Sequence, residues 1–276
     1  MEKSLIIILI TSIILLISIL IIINLIILYN NINIRKIVIN YDYENNDINY
    51  PSLLVLNNNG KYSTTINNKN DKILLLFGDR RYIKYSFIDI DTCQIINKDE
   101  KSKTLIIKSG LKDLKIFSFN YRLYISAKYK DKLRILSLQI KRTYKSNLNS
   151  GYFFNEGDTY MALTDEYEII EINDNNFNKK RKIIKIEGIT KEIEICTNPI
   201  KINNELVFIG IDKENKNIKL IRIEKENYKI KSIIKLEIDE YDKKPNGLIY
   251  NKLSSEIYVS LMNKKNKMII YRIKIN

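Results

Sequence analysis

The chain has no histidine, no tryptophan, two cysteines and three prolines among its 276 residues. Without imidazole there is no Ser-His-Asp or Cys-His catalysis, no histidine metal site and no imidazole proton shuttle. Any chemistry must use carboxylates, Tyr, Lys or a bound ion. Cys93 and Cys196 stand about a hundred residues apart, so they make neither a CxxC-type metal site nor a disulfide framework, and as a lone pair they can bond or stay free. No metal and no cofactor is expected. Three prolines are too few to explain a lack of helix by breakers. Beyond the N-terminal stretch no window sustains an i, i+3, i+4 pattern for three turns. None of the thirty-four Asn residues stands in an Asn-x-Ser/Thr triplet. That absence favours a cytosolic face for the bulk of the chain, or a source without such glycosylation.

What the chain does have is an uncharged run, rich in Ile and Leu, over residues 4–34. Its apolar part, 5–28, reaches about 36 Å as a helix at roughly 1.5 Å per residue, against a hydrocarbon thickness of about 30 Å. A cleaved signal would have a shorter apolar region and a small-residue cleavage site, which this run lacks. The expected organisation is a tail at 1–4, a transmembrane helix at 5–29 embedded in the lipid bilayer, a linker at 30–48 and one domain at 49–276. A single-pass membrane protein is expected. Flanking charges do not choose its orientation, since Lys3 and Glu2 on one side face Arg35, Lys36, Asp42 and Glu44 on the other.

Forty-six Lys and Arg against thirty-two Asp and Glu leave a net charge of +14. An acidic partner would suit that excess, but the cations alternate with acids along the chain instead of gathering on one face, which argues against nucleic acid. Ile, Lys, Asn and Tyr are all written in A/T-rich codons, so the lysine excess fits the composition of an A/T-rich viral or similarly biased genome. The densest cluster, Lys179-Lys180-Arg181-Lys182, is expected to cap a loop.

Past residue 34 the dominant period is two, in short runs of Ile, Tyr, Phe and Val separated by Asn, Asp, Lys and Gly. The domain is expected to be all-β. A triplet of segments recurs: 113–120, 122–128 and 132–140; a shorter set at 151–155, 159–164 and 166–173; then 197–203, 205–212 and 217–225; then 245–250, 256–263 and 267–275. A looser set precedes them at 51–57, 61–66 and 72–77. The first segments start at intervals of about 62, 38, 46 and 48 residues, close to a propeller blade. Five units predict a five-bladed β-propeller, with residues 36–40 or 104–108 supplying outer strands. A β-sandwich of similar strand count is the competing architecture.

The first segments carry a resemblance. Asn49-Tyr50-Pro51-Ser52-Leu53-Leu54, Gly110-Leu111-Lys112-Asp113-Leu114-Lys115-Ile116-Phe117 and Cys196-Thr197-Asn198-Pro199-Ile200 resemble the inner-strand motifs of the five-bladed propeller glycosidases and mannoside phosphorylases. Those motifs read Asn-Pro-Ser-Ile, Glu-Asp-Pro-Arg-Leu-Phe and Gly-Thr-Pro-Pro-Ile, in that order, and each precedes a strand. Here Arg122-Leu123-Tyr124-Ile125-Ser126 and Glu205-Leu206-Val207-Phe208 follow the second and third. The resemblance implies Asp113 as general acid. It implies ligand contacts at Asn49, Lys115 and Asn198, and at Asn246 in the fifth unit.

The departures from that pattern bear on activity. Lys112, Leu114 and Lys115 replace the family's Glu, Pro and Arg, and cations beside Asp113 favour a carboxylate over the protonated acid that the role needs. The Trp motif of the third unit has become Asn149-Ser150-Gly151-Tyr152-Phe153, and a later His is missing. Glu156 and Asp158 read as hairpin-turn residues first and as a catalytic pair second. Asp79-Arg80-Arg81 is either a solvated turn or a group at the channel mouth. Tyrosine leaves sugar stacking open in the absence of Trp. The function expected is a non-catalytic binding or assembly module for a glycan or protein, displayed on a membrane. The alternative is a membrane-anchored glycan-processing enzyme that uses Asp113.

Overall fold

Glu205–Asp212 and Glu256–Met262 are buried at every position. A strand apolar on both faces needs a packed neighbour on each side, which a ring of sheets supplies and a half-exposed sheet does not. The structure, a computed structural model, describes residues 18–19, 34–39, 49–78, 82–96, 105–106, 112–119, 122–130, 132–137, 142–238, 241, 243–264 and 267–275. In it the chain builds five sheets of four or five strands. It is an all-β, five-bladed propeller.

From the channel outward, blade one runs Asn49–Leu56, Lys72–Gly78, Tyr82–Ile88 and Leu105–Ile106, with Tyr62–Ser63 on the other side of the innermost strand. Blade two runs Lys112–Phe119, Arg122–Tyr129, Lys132–Ser137 and Thr143–Lys145. Blade three runs Tyr152–Glu156, Thr159–Leu163, Glu168–Ile172 and Lys179–Lys185. Blade four begins with two short strands, Ile193–Ile195 and Ile200–Ile202, both paired with Glu205–Asp212, and continues through Ile218–Glu224 to Ile230–Lys235. Blade five runs Lys243–Asn251, Glu256–Met262 and Met268–Lys274, and takes its outer strand, Ile34–Val38, from the other end of the chain.

Packing explains why the ring holds. The buried apolar residues fall into five clusters, each shared by two adjacent blades. Leu54 and Leu74 meet Leu114, Ile116 and Ile125 between blades one and two. Phe117, Phe119 and Ile135 meet Phe153, Ile170 and Phe177 between two and three. Tyr152 and Leu163 meet Ile195 and Phe208 between three and four. Val207 and Ile209 meet Leu248 and Val259 between four and five. Leu53, Val55 and Ile73 meet Ile249, Tyr258 and Ile270 between five and one. Alternation along the strands drives this sharing: Leu54 faces blade two while Leu53 and Val55 face blade five. Each fully buried Leu or Ile contributes about 1.5–3 kcal/mol from apolar transfer.

Closure is hydrogen-bonded as well as packed. Ile34–Val38 runs antiparallel to Met268–Lys274, with Ile34 opposite Ile273 and Val38 opposite Ile269. A second tie joins the same two blades, because Thr65–Ile66 lies parallel to the inner strand of blade five with Thr65 opposite Tyr250. The inner strands of blades five and one approach so closely at Gly247 that a Cβ there would collide with the Leu53 nitrogen and with Ser260 Oγ. Glycine is required by that contact.

Several expectations are corrected here. The 30–48 stretch is not all linker, since Ile34–Val38 is the strand that closes the ring. Residues 61–66 do not form the second strand of blade one. The more apolar Lys72–Gly78 takes that place beside Asn49–Leu56, and 61–66 become two two-residue strands. Lys179-Lys180-Arg181-Lys182 caps no loop: it begins the outer strand of blade three, where Lys180 Nζ sits 2.6 Å from Glu171 Oε1 and Lys182 Nζ 2.6 Å from Glu168 Oε1. Cys93 and Cys196 are both free, buried in different inter-blade clusters. Of the expected transmembrane segment only Ser18 and Ile19 are described, as helix, and the rest of 5–29 lies outside the described residues. No described helix is long and apolar enough to cross a membrane. Asp79-Arg80-Arg81 likewise lies outside them.

Candidate functional site

The described starts of the inner strands converge on a cavity of about 490 Å³ at one end of the channel. Blade two brings Asp113 and Lys115 to it, blade three Ser150 to Tyr152, blade four Glu194 and Cys196, and blade five Lys244 to Asn246; Lys128, Asp165 and Lys213 complete its polar wall. Asp113 reaches this position through a local irregularity. Pairing with blade two's next strand slips between Lys112 and Lys115, and Asp113 takes φ 53°, a left-handed conformation that Asp tolerates better than most residues.

Ion pairs consume most of the charge around the mouth. Lys244 Nζ lies 2.5 Å from Glu194 Oε1, and Lys128 Nζ 3.6 Å from Asp165 Oδ2. Lys213 Nζ donates to the Lys191 carbonyl at 2.7 Å. Burial pulls the Lys244 ammonium down, but Glu194 outweighs it and holds this lysine above its ordinary value. The Tyr152 hydroxyl lies 2.6 Å from the Ile195 carbonyl and 3.1 Å from Asp165 Oδ1, tying blade three to blade four. Burial, reinforced by Asp165, raises that phenol well above its usual range. Burial also pushes the Cys196 thiol up to about 12, so at neutral pH it is an inert thiol and no nucleophile.

Lys115 differs from its neighbours. Its Nζ stands 4.9 Å from the centre of the Tyr152 ring, a cation–π contact. Burial lowers its pKa, against the opposing carboxylates of Asp113 and Asp165. Asp113 is exposed at the cavity wall and acts electrostatically on both Lys115 and Lys244.

Two of the expected ligand-binding residues serve the fold instead. Asn198 Nδ2 donates to the Ile116 carbonyl at 2.9 Å, and its Oδ1 accepts from the Phe153 nitrogen at 3.0 Å. Blade four is thereby fastened to blades two and three. Asn246 is buried, and its Nδ2 donates to Ser52 Oγ and to the Leu114 carbonyl, both at 2.7 Å, fastening blade five to blades one and two. Asn49 starts the inner strand of blade one, its backbone opposite Gly78. Glu156 is ion-paired with Lys225 and 4.0 Å from Lys201, and Asp158 is exposed in the adjoining turn. They form no acid pair at the mouth. Sequence reasoning overlooked Asp165, Glu194 and Lys244. Asp165 sits in the turn between Thr159–Leu163 and Glu168–Ile172, whereas Glu194 lies within Ile193–Ile195 and Lys244 near the start of Lys243–Asn251, so local pattern alone does not bring the three together.

A second cavity of about 180 Å³ lies further along the same inner strands, lined by apolar groups such as Leu53, Ile116 and Phe153 together with neutral polar ones such as Thr64, Ser118 and Asn198, and by Lys201. Asn246 borders both cavities.

Comparison with known proteins agrees on fold alone. No family model matches the chain, and no curated protein does. Among solved structures it is similar to the glutaminyl cyclase of Myxococcus xanthus, at 10% identity and a TM-score of 0.53, over 88% of this chain and 96% of that one. A GH43 protein of Bacillus licheniformis, BlXynB, aligns at 12% identity and a TM-score of 0.46, over 83% of this chain and 50% of that one. The N-terminal domain of Nup159 aligns at 12% identity and a TM-score of 0.39, over 73% of each chain. The likeness to the glutaminyl cyclase extends to the fold alone.

Proposed function

We propose that this chain is a membrane-anchored five-bladed propeller that binds a glycan or protein at the mouth of its central channel without transforming it. The observation that carries the reading is the assignment of polar groups around the channel. Asn198 and Asn246, where the resembling enzymes bind substrate, are spent on hydrogen bonds between blades. The acids Asp165 and Glu194 are each beside a lysine, Lys128 and Lys244, and so are engaged in ion pairs. Support for the anchor comes from the uncharged run at 5–29 and from the short chain between it and the ring-closing strand Ile34–Val38. An A/T-rich composition supports a viral or similarly biased source, and the missing glycosylation triplets support a propeller facing the cytosol or made where such glycosylation is lacking.

The second reading, a glycan-processing enzyme, is favoured by one feature: Asp113 lies on the cavity wall at the start of an inner strand, where the resemblance places the acid. The two separate on one experiment. The full-length chain is tested for binding to a glycan array and for turnover of a panel of mannosides, each with and without Asp113→Asn. Retention of glycans with no turnover is the expected result. Turnover that falls about a hundredfold or more in the variant, as for a lost general acid, overturns the binding reading.

A further inference from the structure

Lysines wall the mouth, but their states differ. Lys244 and Lys128 sit beside carboxylates, and Lys213 donates to a carbonyl. Lys115, among the described residues, has neither an ion pair nor a hydrogen bond. Its amine lies over the Tyr152 ring inside a cavity large enough for a small molecule. Tyr152 is itself fixed, hydrogen-bonded to the Ile195 carbonyl on the next blade, so the ring holds the amine's position. Asp113 and Asp165 act on this amine without the close pairing seen at Lys244.

An amine that is confined, uncommitted and open to a ligand-sized cavity can add to a carbonyl. We propose that Lys115 is a covalent capture site for an aldehyde or ketone ligand, held as a reversible imine. This deepens the binding reading above and rests on it, since it names the ligand chemistry of the same mouth. The neutral Nζ adds to the carbonyl carbon, forming a C–N bond, and the nitrogen's proton passes to the oxygen to give a carbinolamine. Loss of that hydroxyl as water, carrying off the nitrogen's remaining proton, breaks the C–O and N–H bonds and leaves C=N, with no oxidant or reductant involved. Asp113 and Asp165 line the same cavity. Hydrolysis reverses each step and frees the ligand. The lowered pKa of Lys115, caused first by burial, increases the fraction of free amine at neutral pH, an advantage that Lys244, held above its ordinary value beside Glu194, lacks.

The test is reductive trapping on the full-length chain. Pyridoxal is added at pH 7 with cyanoborohydride, which reduces an imine to a stable amine, and modified lysines are quantified by peptide mass spectrometry over time. Lys115 is expected to label about tenfold or more faster than Lys128, Lys244 and the lysines of Lys179–Lys185. In Lys115→Arg the fast phase disappears while the slow sites keep their rates. Tyr152→Leu, which removes the ring under the amine, should slow Lys115 severalfold. Labelling of Lys115 at the rate of exposed lysines, in protein that melts cooperatively, overturns the proposal. Non-covalent retention of glycans by the Lys115→Arg protein would leave the binding reading standing while sinking this one. Loss of all glycan retention in the unmodified chain would sink the binding reading even if Lys115 labels fast.

Discussion

The two cavities along the central channel share strands but differ in size and in charge. At the starts of the inner strands Asp113, Lys115, Glu194 and Lys244 surround about 490 Å³. A few residues further on, Leu53, Leu54, Ile116 and Phe117 narrow the space to about 180 Å³, and Asn198 and Asn246 stitch the blades together. The larger cavity gathers charge, some of it in ion pairs that cross between blades; the smaller, with Lys201 as its one charged residue among those described, holds the amide of Asn198 that fastens three blades. The comparison shows how a polar residue on an inner strand is to be read. Its depth along the strand decides whether it meets a ligand or a neighbouring blade.

The harshest way to break the comparison is to open the ring, which should destroy both ends together. Removing 267–276 takes Met268–Lys274 out of blade five and leaves Glu256–Met262 and Ile34–Val38 without a partner. Cooperative thermal unfolding is expected to be lost, as monitored by circular dichroism. A truncated protein that melts like the intact one would show that closure is dispensable.

Next in size are the braces. Asn246→Ala removes two short buried hydrogen bonds and leaves the Leu114 carbonyl without that donor, a loss of about 2–4 kcal/mol measurable by urea denaturation. Gly247→Ala should cost about 1–3 kcal/mol through the collision with blade one. A third comparison uses pH. Burial pushes the thiols of Cys93 and Cys196 from about 9 up to about 12. For such raised groups the stability is fully present below pH 9 and is lost as pH rises through 12, because the unfolded chain ionises first. Stability should therefore decline between pH 9 and 12, less steeply in Cys93→Ala or Cys196→Ala. At the acid end, Arg222 and Lys231 hold Glu205 below its ordinary value despite opposing burial. That contribution is present above about pH 4.5 and lost as pH falls further. The smallest effect belongs to Asp113→Asn, expected within about 0.5 kcal/mol in the same denaturation assay.

These contrasts also mark what could be read in the sequence. Blades two to five were legible as triplets because Asn- and Gly-containing turns separate apolar runs, and the segments 122–128, 205–212 and 256–263 coincide with the strands Arg122–Tyr129, Glu205–Asp212 and Glu256–Met262. Both places named for an outer strand hold one, at Ile34–Val38 and Leu105–Ile106. Other outer strands were not legible. Ile230–Lys235 alternates half-buried and exposed side chains over only six residues, and Lys179–Lys185 reads as a charge cluster because its cations are matched only by Glu168 and Glu171 on the neighbouring strand. The mouth was half legible. Asp113 and Lys115 came from motif position, whereas Asp165, Glu194 and Lys244 meet only when the ring closes. Asn198 and Asn246 fall where expected, but only the neighbouring blades show which groups they hold.

The most direct test of the account is a side-by-side thermal melt of Asn246→Ala and Lys115→Met. A ring of this size shifts by about 2–4 °C per kcal/mol. If one set of residues braces and the other waits for a ligand, Asn246→Ala should melt several degrees below the unmodified protein. Lys115→Met, which replaces an uncommitted half-buried charge with an apolar chain, should melt at the same temperature or higher. A Lys115→Met protein that melts as low as Asn246→Ala would contradict it, because Lys115 would then be one more brace.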